Sequence, residues 1–196
     1  MPEPIKLGFA VTGSFCTFQP MLRSMEACRE QGFDIFPILS PAAAGTDTRF
    51  GKAADFLEKI RQISGREPIL DIPGAEPIGP KKMFDILLAA PCTGNTLAKL
   101  ACGITDNAVT MAVKSHLRGQ RPVVLAISTN DALSGSAANI GKLLNRRHYY
   151  FVPFRQDDPV GKPASLVADF DLVAQTVAAA LEGRQVQPLL LPPPAK

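Results

Sequence analysis

The sequence predicts a single α/β domain with a doubly wound parallel sheet, on three observations. Short, almost uninterrupted apolar runs recur along the chain, the pattern of strands covered on both faces. Between them lie segments with apolar residues at helical spacing. Four of the runs stop at small polar residues, at the sheet edge where open parallel sheets keep their ligand crevice.

The first strand is Lys6-Leu7-Gly8-Phe9-Ala10-Val11, which ends at Thr12-Gly13-Ser14. Met21, Met25 and Cys28 then recur at helical spacing, with Pro20 in the first turn, where its missing N–H costs little, and Gly32 as the stop. Asp34 to Leu39 is the second strand despite Pro37, and Ser40-Pro41 leads from it into a loop of Ala and Gly. A helix is expected from Thr48 to Ile63, with Phe56, Leu57 and Ile60 on one face and Ser64-Gly65 closing it. Ile69 to Ile72 reads as a short third strand, and the repeated Pro and Gly from Pro73 to Pro80 as an irregular connection.

Asp85 to Ala90 is the central strand, broken by Pro91-Cys92-Thr93-Gly94-Asn95-Thr96, after which a helix rich in Ala, Leu and Lys begins. Pro122 to Ile127 is a further buried strand that ends at Ser128-Thr129-Asn130-Asp131. A short helix over Ala138 to Asn145, a final strand over Tyr149 to Phe154 and a last helix over Ser165 to Leu181 complete the pattern. The domain is expected to occupy 1–185, with 186–196 as a Pro-rich tail in which Leu191-Pro192-Pro193-Pro194 forms no regular element.

Composition narrows the function classes. The chain has 196 residues, enough for one core without a metal or disulfide. It is 46% hydrophobic and 20% charged, and no apolar run reaches the roughly 20 residues of a membrane span. With no secretory leader pattern at Met1 to Leu7, a cytoplasmic chain is expected. A net charge of +3, concentrated nowhere except Arg146-Arg147-His148, gives nucleic-acid binding little support. The four cysteines Cys16, Cys28, Cys92 and Cys102 have neither CxxC spacing nor a zinc-like histidine partner, so free thiols and no metal are expected.

The strand-end turns carry the functional signal. Helix N-termini offer unpaired N–H groups and a positive dipole end, and Ser and Thr add donors without blocking close approach. Any one such turn is more often a structural cap, but Thr12-Gly13-Ser14, Ser40, Thr93 to Thr96 and Ser128 to Asn130 converging on one sheet edge make a phosphate site. Neither GxGxxG nor GxxxxGK[ST] is present, which disfavours a bound dinucleotide or ATP hydrolysis and leaves a mononucleotide compatible. His116 and His148 lie outside the strand-end loops and are expected at the surface or an interface. Cys92 sits where a nucleophile could, though packing is the commoner role, and Asp106 and Asp131 could bond a ligand hydroxyl or cap a helix.

The segment from Pro91 to Asn107 resembles the P-x-x-x-N-T-x-A-K-x-A-x-G-x-x-D-N signature of the flavoprotein superfamily named for its homo-oligomeric flavin-containing cysteine decarboxylases. The resemblance implies a Rossmann-like fold of the flavoprotein type, bound FMN and a homo-oligomer, trimeric or a multiple of that. Gly13-Ser14 then fall at the flavin phosphate and Ser40 near the flavin. The candidate flavin-binding residues that follow are Gly13, Ser14, Ser40, Thr93, Asn95, Thr96, Ser128 and Thr129.

Within that superfamily Thr12 to Phe18, Glu76 to Lys82, Ala126 to Leu133 and Tyr150 to Phe154 are similar to the B-subunit family of dipicolinate synthases. This implies an oxidoreductase subunit that works with a dehydrogenase-like A subunit, the seat of NADP, to oxidise dihydrodipicolinate to dipicolinate in the mother cell of a sporulating bacterium. Two alternatives stay open: a non-redox binding subunit that orders its partner, and a stand-alone flavin-dependent decarboxylase or prenyltransferase. The decarboxylases place a histidine ahead of the central strand, and residues 66–90 contain none; Ala126 to Leu133 also departs from their P-x-M-N-x-x-M-W segment. The sequence assigns no catalytic residue, and Lys99, Lys114, Arg118 and Arg146 are candidates to meet a dicarboxylate.

Overall fold

The structure, a computed structural model, describes residues 3–193. Five parallel strands, β1 (Lys6–Val11), β2 (Asp34–Leu39), β3 (Ile86–Cys92), β4 (Val123–Thr129) and β5 (Tyr149–Phe151), lie in the order β2-β1-β3-β4-β5. Every residue of β3 is buried, which is why its sequence is an unbroken apolar run rather than an alternating one. The helices are α1 (Phe18–Glu30), α2 (Pro41–Gly45), α3 (Ala53–Ser64), α4 (Ile72–Ala75), α5 (Gly94–Cys102), α6 (Ala108–Leu117), α7 (Ala137–Leu144) and α8 (Val173–Leu181). Helix α1 packs with α3 and α8 in one layer, and α4 to α7 form a second, linked through the α4–α6, α5–α6 and α5–α7 contacts. This is the doubly wound α/β class expected. Strand order reverses between β1 and β3, and a ligand crevice belongs above that point.

The sheet is not wholly parallel, and several boundaries differ from the sequence expectation. The last helix begins at Val173 rather than Ser165, because β7 (Leu166–Ala168) runs antiparallel to the end of β4, with Ser128 opposite Val167 and Thr129 opposite Leu166. The expected strand over Tyr149 to Phe154 divides at Val152-Pro153, and β6 (Phe154–Arg155) turns away to pair with β7. Residues 189–191 lie beside it: Phe154 N–H donates to Leu189 O at 3.0 Å and Leu191 N–H to Phe154 O at 2.9 Å. Of the Pro-rich stretch, Pro194 and the residues after it lie outside the described residues.

The expected third strand over Ile69 to Ile72 contributes one bridge, Ile38 to Ile69, since the Asp71 carboxylate accepts from Gly74 N–H at 2.8 Å and starts α4 instead. Strand β3 continues through Pro91 and Cys92. The single helix expected after Thr96 starts at Gly94 and is two: Gly103, at φ +74°, ends α5, and Asn107 restarts α6 with a reciprocal bond pair to Thr110.

Two buried polar groups hold the frame. Thr12 is 1% exposed, and its hydroxyl donates to Pro91 O at 2.7 Å while accepting from Thr93 N–H at 3.1 Å, so one side chain ties the ends of β1 and β3 together. His116, expected at the surface, is fully buried beneath the sheet. It bonds Pro122 O through Nε2 at 3.1 Å and packs against Phe84, whose ring fills the space beside Gly8, where a Cβ would come within 2.5 Å of it. The carbonyl can only accept, so Nε2 carries the proton of a neutral ring. Burial, reinforced by the nearby Arg121 charge, lowers the His116 pKa from 6.5 to about 4.

Replacing Thr12 with Val leaves the Pro91 carbonyl and Thr93 amide without their partner, and should lower unfolding free energy in urea by about 1–3 kcal/mol, with Thr12→Ser retaining most of it. For His116 the folded pKa lies below the unfolded one, so only the unfolded chain takes up a proton as pH falls from 6.5 towards 4. Stability should therefore fall by about 3 kcal/mol across that window through this one group, with no contribution above it. Urea midpoints measured against pH should show the decline in the native chain and a flatter profile in His116→Gln.

Candidate functional site

A cleft of about 890 Å³ opens at the C-terminal edge of the sheet, between the ends of β1, β3 and β4 and the segment that leads into β7. Six of the eight sequence candidates line it: Gly13, Ser14, Thr93, Asn95, Ser128 and Thr129. Ser40 and Thr96 do not. Ser40 is buried, and its hydroxyl accepts from Ala43 N–H at 3.3 Å to start α2. Thr96 is buried in the first turn of α5, where its N–H and hydroxyl both meet the Thr93 hydroxyl, at 3.2 and 3.0 Å.

At the β1 side, the Ser14 and Ser128 hydroxyls are 2.7 Å apart across the cleft floor, although 114 residues separate them in sequence. The Thr17 hydroxyl donates to Ser14 O at 2.8 Å and lies at the edge of hydrogen-bond range from Ser128. This is a knot of hydroxyls with Gly13 beside it, and it contains no carboxylate.

The β4 side differs. Thr129 and Ser136 donate to the same Asp131 oxygen, at 2.6 and 2.9 Å, and these bonds, Thr129's first, hold the Asp131 carboxyl below the usual carboxylate range. The start of α5 is pressed against this group: a Cβ on Gly94 would come within 2.6 Å of Ser136 Oγ, 2.7 Å of Thr129 Oγ1 and 2.8 Å of Asp131 Oδ1. Glycine is the residue that fits there.

The donor set suits the parts of FMN separately. The Ser14 and Ser128 hydroxyls, backed by Thr17, can take the phosphate, whereas ionised Asp131 would repel a phosphate and instead accept from a sugar-like hydroxyl. The cleft volume lies within the roughly 300–1,000 Å³ range of small-molecule pockets.

Other expectations from sequence meet a structural role. Cys92 is fully buried and its thiol is pushed up to about 12 by burial, so it packs and does not act as a nucleophile near neutral pH. Arg146 donates to the carbonyls of Leu100 and Ala101, at 3.0 and 2.9 Å, and so closes the C-terminus of α5. Lys99 pairs with Asp106 at 2.6 Å. Neither these two nor Lys114 and Arg118 line the cleft. Cleft residues that the sequence reading passed over include Arg49, Phe50, Asp157, Lys162 and Ser165. Nothing in the local sequence marks them, since they reach the cleft through the Thr48–Gly51 bridge and the unexpected β7.

Comparison with known proteins agrees with this architecture. The chain is 43% identical over 186 residues to the B subunit of dipicolinate synthase of Bacillus subtilis (strain 168), covering 95% of this chain and 93% of that protein. The crystal structure of the dipicolinate synthase B subunit from Bacillus halodurans C superposes with a TM-score of 0.89 at 41% identity, over 96% of this chain and 97% of the other. The FMN-dependent cysteine decarboxylase SpaF shares the fold at 20% identity, with a TM-score of 0.67 over 90% of this chain and 97% of the other. The family described as Flavoprotein matches residues 1–178, and the chain belongs to that family.

Proposed function

We propose that the chain works as the B component of a two-component enzyme that oxidises dihydrodipicolinate to dipicolinate, with FMN held in the cleft. The observation that carries this reading is the 43% identity, over 95% of the chain, to the B subunit of a dipicolinate synthase. Such a protein implies an A subunit as its partner, and NADP is assigned to that partner. The same reading carries a homo-oligomer, trimeric or a multiple of that, in the mother cell of a sporulating bacterium.

In this proposal Gly13, Ser14, Thr93, Asn95, Ser128 and Thr129 touch the flavin nucleotide, while Ser40 and Thr96 hold the turns behind them. The chemistry FMN supplies when bound is acceptance of a hydride, which no side chain can provide. Oxidation of dihydrodipicolinate would remove a hydride equivalent and a proton and make the ring aromatic. The chain's own residues bind and orient: the Ser14 and Ser128 hydroxyls turn to the phosphate, Thr17 holds the Ser14 carbonyl behind them, and the ionised Asp131 carboxylate accepts from a hydroxyl further along. Stand-alone decarboxylation is the weaker reading, because neither histidine lines the cleft: His116 is buried elsewhere and His148 bonds Gln120.

Titrating the purified chain with FMN, alone and with its A-type partner, and following flavin fluorescence tests the reading. Saturable binding is expected, with Ser14→Asp raising Kd at least about tenfold as a carboxylate meets the phosphate. Absence of binding in both preparations would remove the flavin from the proposal. An Asn95→Ala chain that still assembles with that partner but loses turnover would count against a partner-ordering role.

A further inference from the structure

The cleft lining also holds residues to which the flavin reading gives no role. Part of that lining is a tight turn between α2 and α3. Thr48 N–H donates to Gly51 O at 3.0 Å, Gly51 N–H returns to Thr48 O at 3.1 Å, and Phe50 N–H reaches the Thr48 hydroxyl at 3.2 Å. Gly51 sits at φ +145°, with the Phe56 ring 2.7 Å from where a Cβ would be, so the turn is seated on the core. Its tip is Arg49 and Phe50. The guanidinium lies 4.9 Å from the centre of the Phe50 ring, and that ring is 44% exposed. Among the described residues Arg49 has no carboxylate partner.

Lys162 lines the same cleft from the segment that leads into β7. Its ammonium donates to Asp157 at 2.8 Å, and the Ser165 hydroxyl holds the second oxygen of that carboxylate at 2.8 Å. Asp157 thereby orients the ammonium while leaving two of its three N–H donors uncommitted. Arg49 and Lys162 are the two basic residues among those lining the cleft, and an exposed aromatic face lies beside the first.

We propose that Arg49, Phe50 and Lys162 form a recognition clamp for a planar ring bearing two carboxylates. The Arg49 fork takes one carboxylate through paired charge-assisted bonds, Lys162 takes the other, and the Phe50 face covers the ring. The carboxylates of a pyridine-2,6-dicarboxylate flank the ring nitrogen and diverge, which suits two cations carried on separate segments of the lining. This clamp rests on the dihydrodipicolinate reading and names the residues that would select that substrate; Lys99, Lys114, Arg118 and Arg146 take no part in it.

The test uses the full chain loaded with FMN, with pyridine-2,6-dicarboxylate and pyridine-2-carboxylate as probes, and calorimetry as the readout. The native chain is expected to prefer the dicarboxylate. Arg49→Ala should weaken dicarboxylate binding by about 10- to 100-fold, weaken the monocarboxylate by much less, and leave FMN affinity and the melting temperature unchanged. Phe50→Leu should weaken both probes alike, and Arg49→Lys should recover part of the loss. Equal dicarboxylate affinity in the native and Arg49→Ala chains overturns the clamp. FMN binding with no dicarboxylate binding at millimolar concentration overturns the clamp while sparing the flavin reading. A native chain that binds neither overturns both.

Discussion

The Thr12 hydroxyl is the constraint on which the site depends. It sits buried at the point where strand order reverses, accepting from the first amide beyond β3 and donating to a carbonyl two residues earlier. Those two backbone groups belong to Thr93 and Pro91, at the entry to α5. Bonding them fixes where α5 begins relative to β1, and therefore how Gly13 and Ser14 lie against Asn95. A hydroxyl can serve both groups because it is donor and acceptor at once, and no apolar residue of the same shape could do so. The pairing of Ser14 with Ser128 across the floor then follows from strands already held in register.

The segment from Pro91 to Asn107 divides its residues between architecture and site. Thr93 caps α5, Gly103 ends it, Asn107 caps α6, and Lys99 pairs with Asp106 across the corner between the two helices. Thr96 is buried behind the first turn. That leaves Thr93, Gly94 and Asn95 to line the cleft. Most of such a motif specifies a sharp helix–turn–helix corner. Asn95 is the exposed side chain it leaves at the cleft, since the side chains that build the corner are already engaged with one another.

Charge arranges the cleft into regions. The hydroxyl knot near Gly13 has no carboxylate, the β4 side carries ionised Asp131, and the lining also includes Arg49 and an Asp157-paired Lys162. In a partly enclosed site such differences persist, because screening by water is weaker there than on the open surface.

The sequence by itself determined the order of the central strands' apolar runs, the helix that carries Met21, Met25 and Cys28, the short helix expected over Ala138 to Asn145 and found at Ala137–Leu144, and the strand-end turns that gather at one edge. These are local: burial on both faces requires unbroken apolar residues, and turns require Gly, Ser, Thr or Asn, so both leave a mark in neighbouring positions. The tertiary structure decided what depends on partners far along the chain. Leu166-Val167-Ala168 could have continued a helix, and became a strand because the end of β4 offered unpaired backbone to it. Asp71 took an amide and removed a strand, and His116 was buried by the ring of Phe84, 32 positions away. Arg49 and Lys162 reached one cleft for the same reason. Their meeting is set by how β7 and the Thr48–Gly51 turn pack, and no spacing within either segment encodes it.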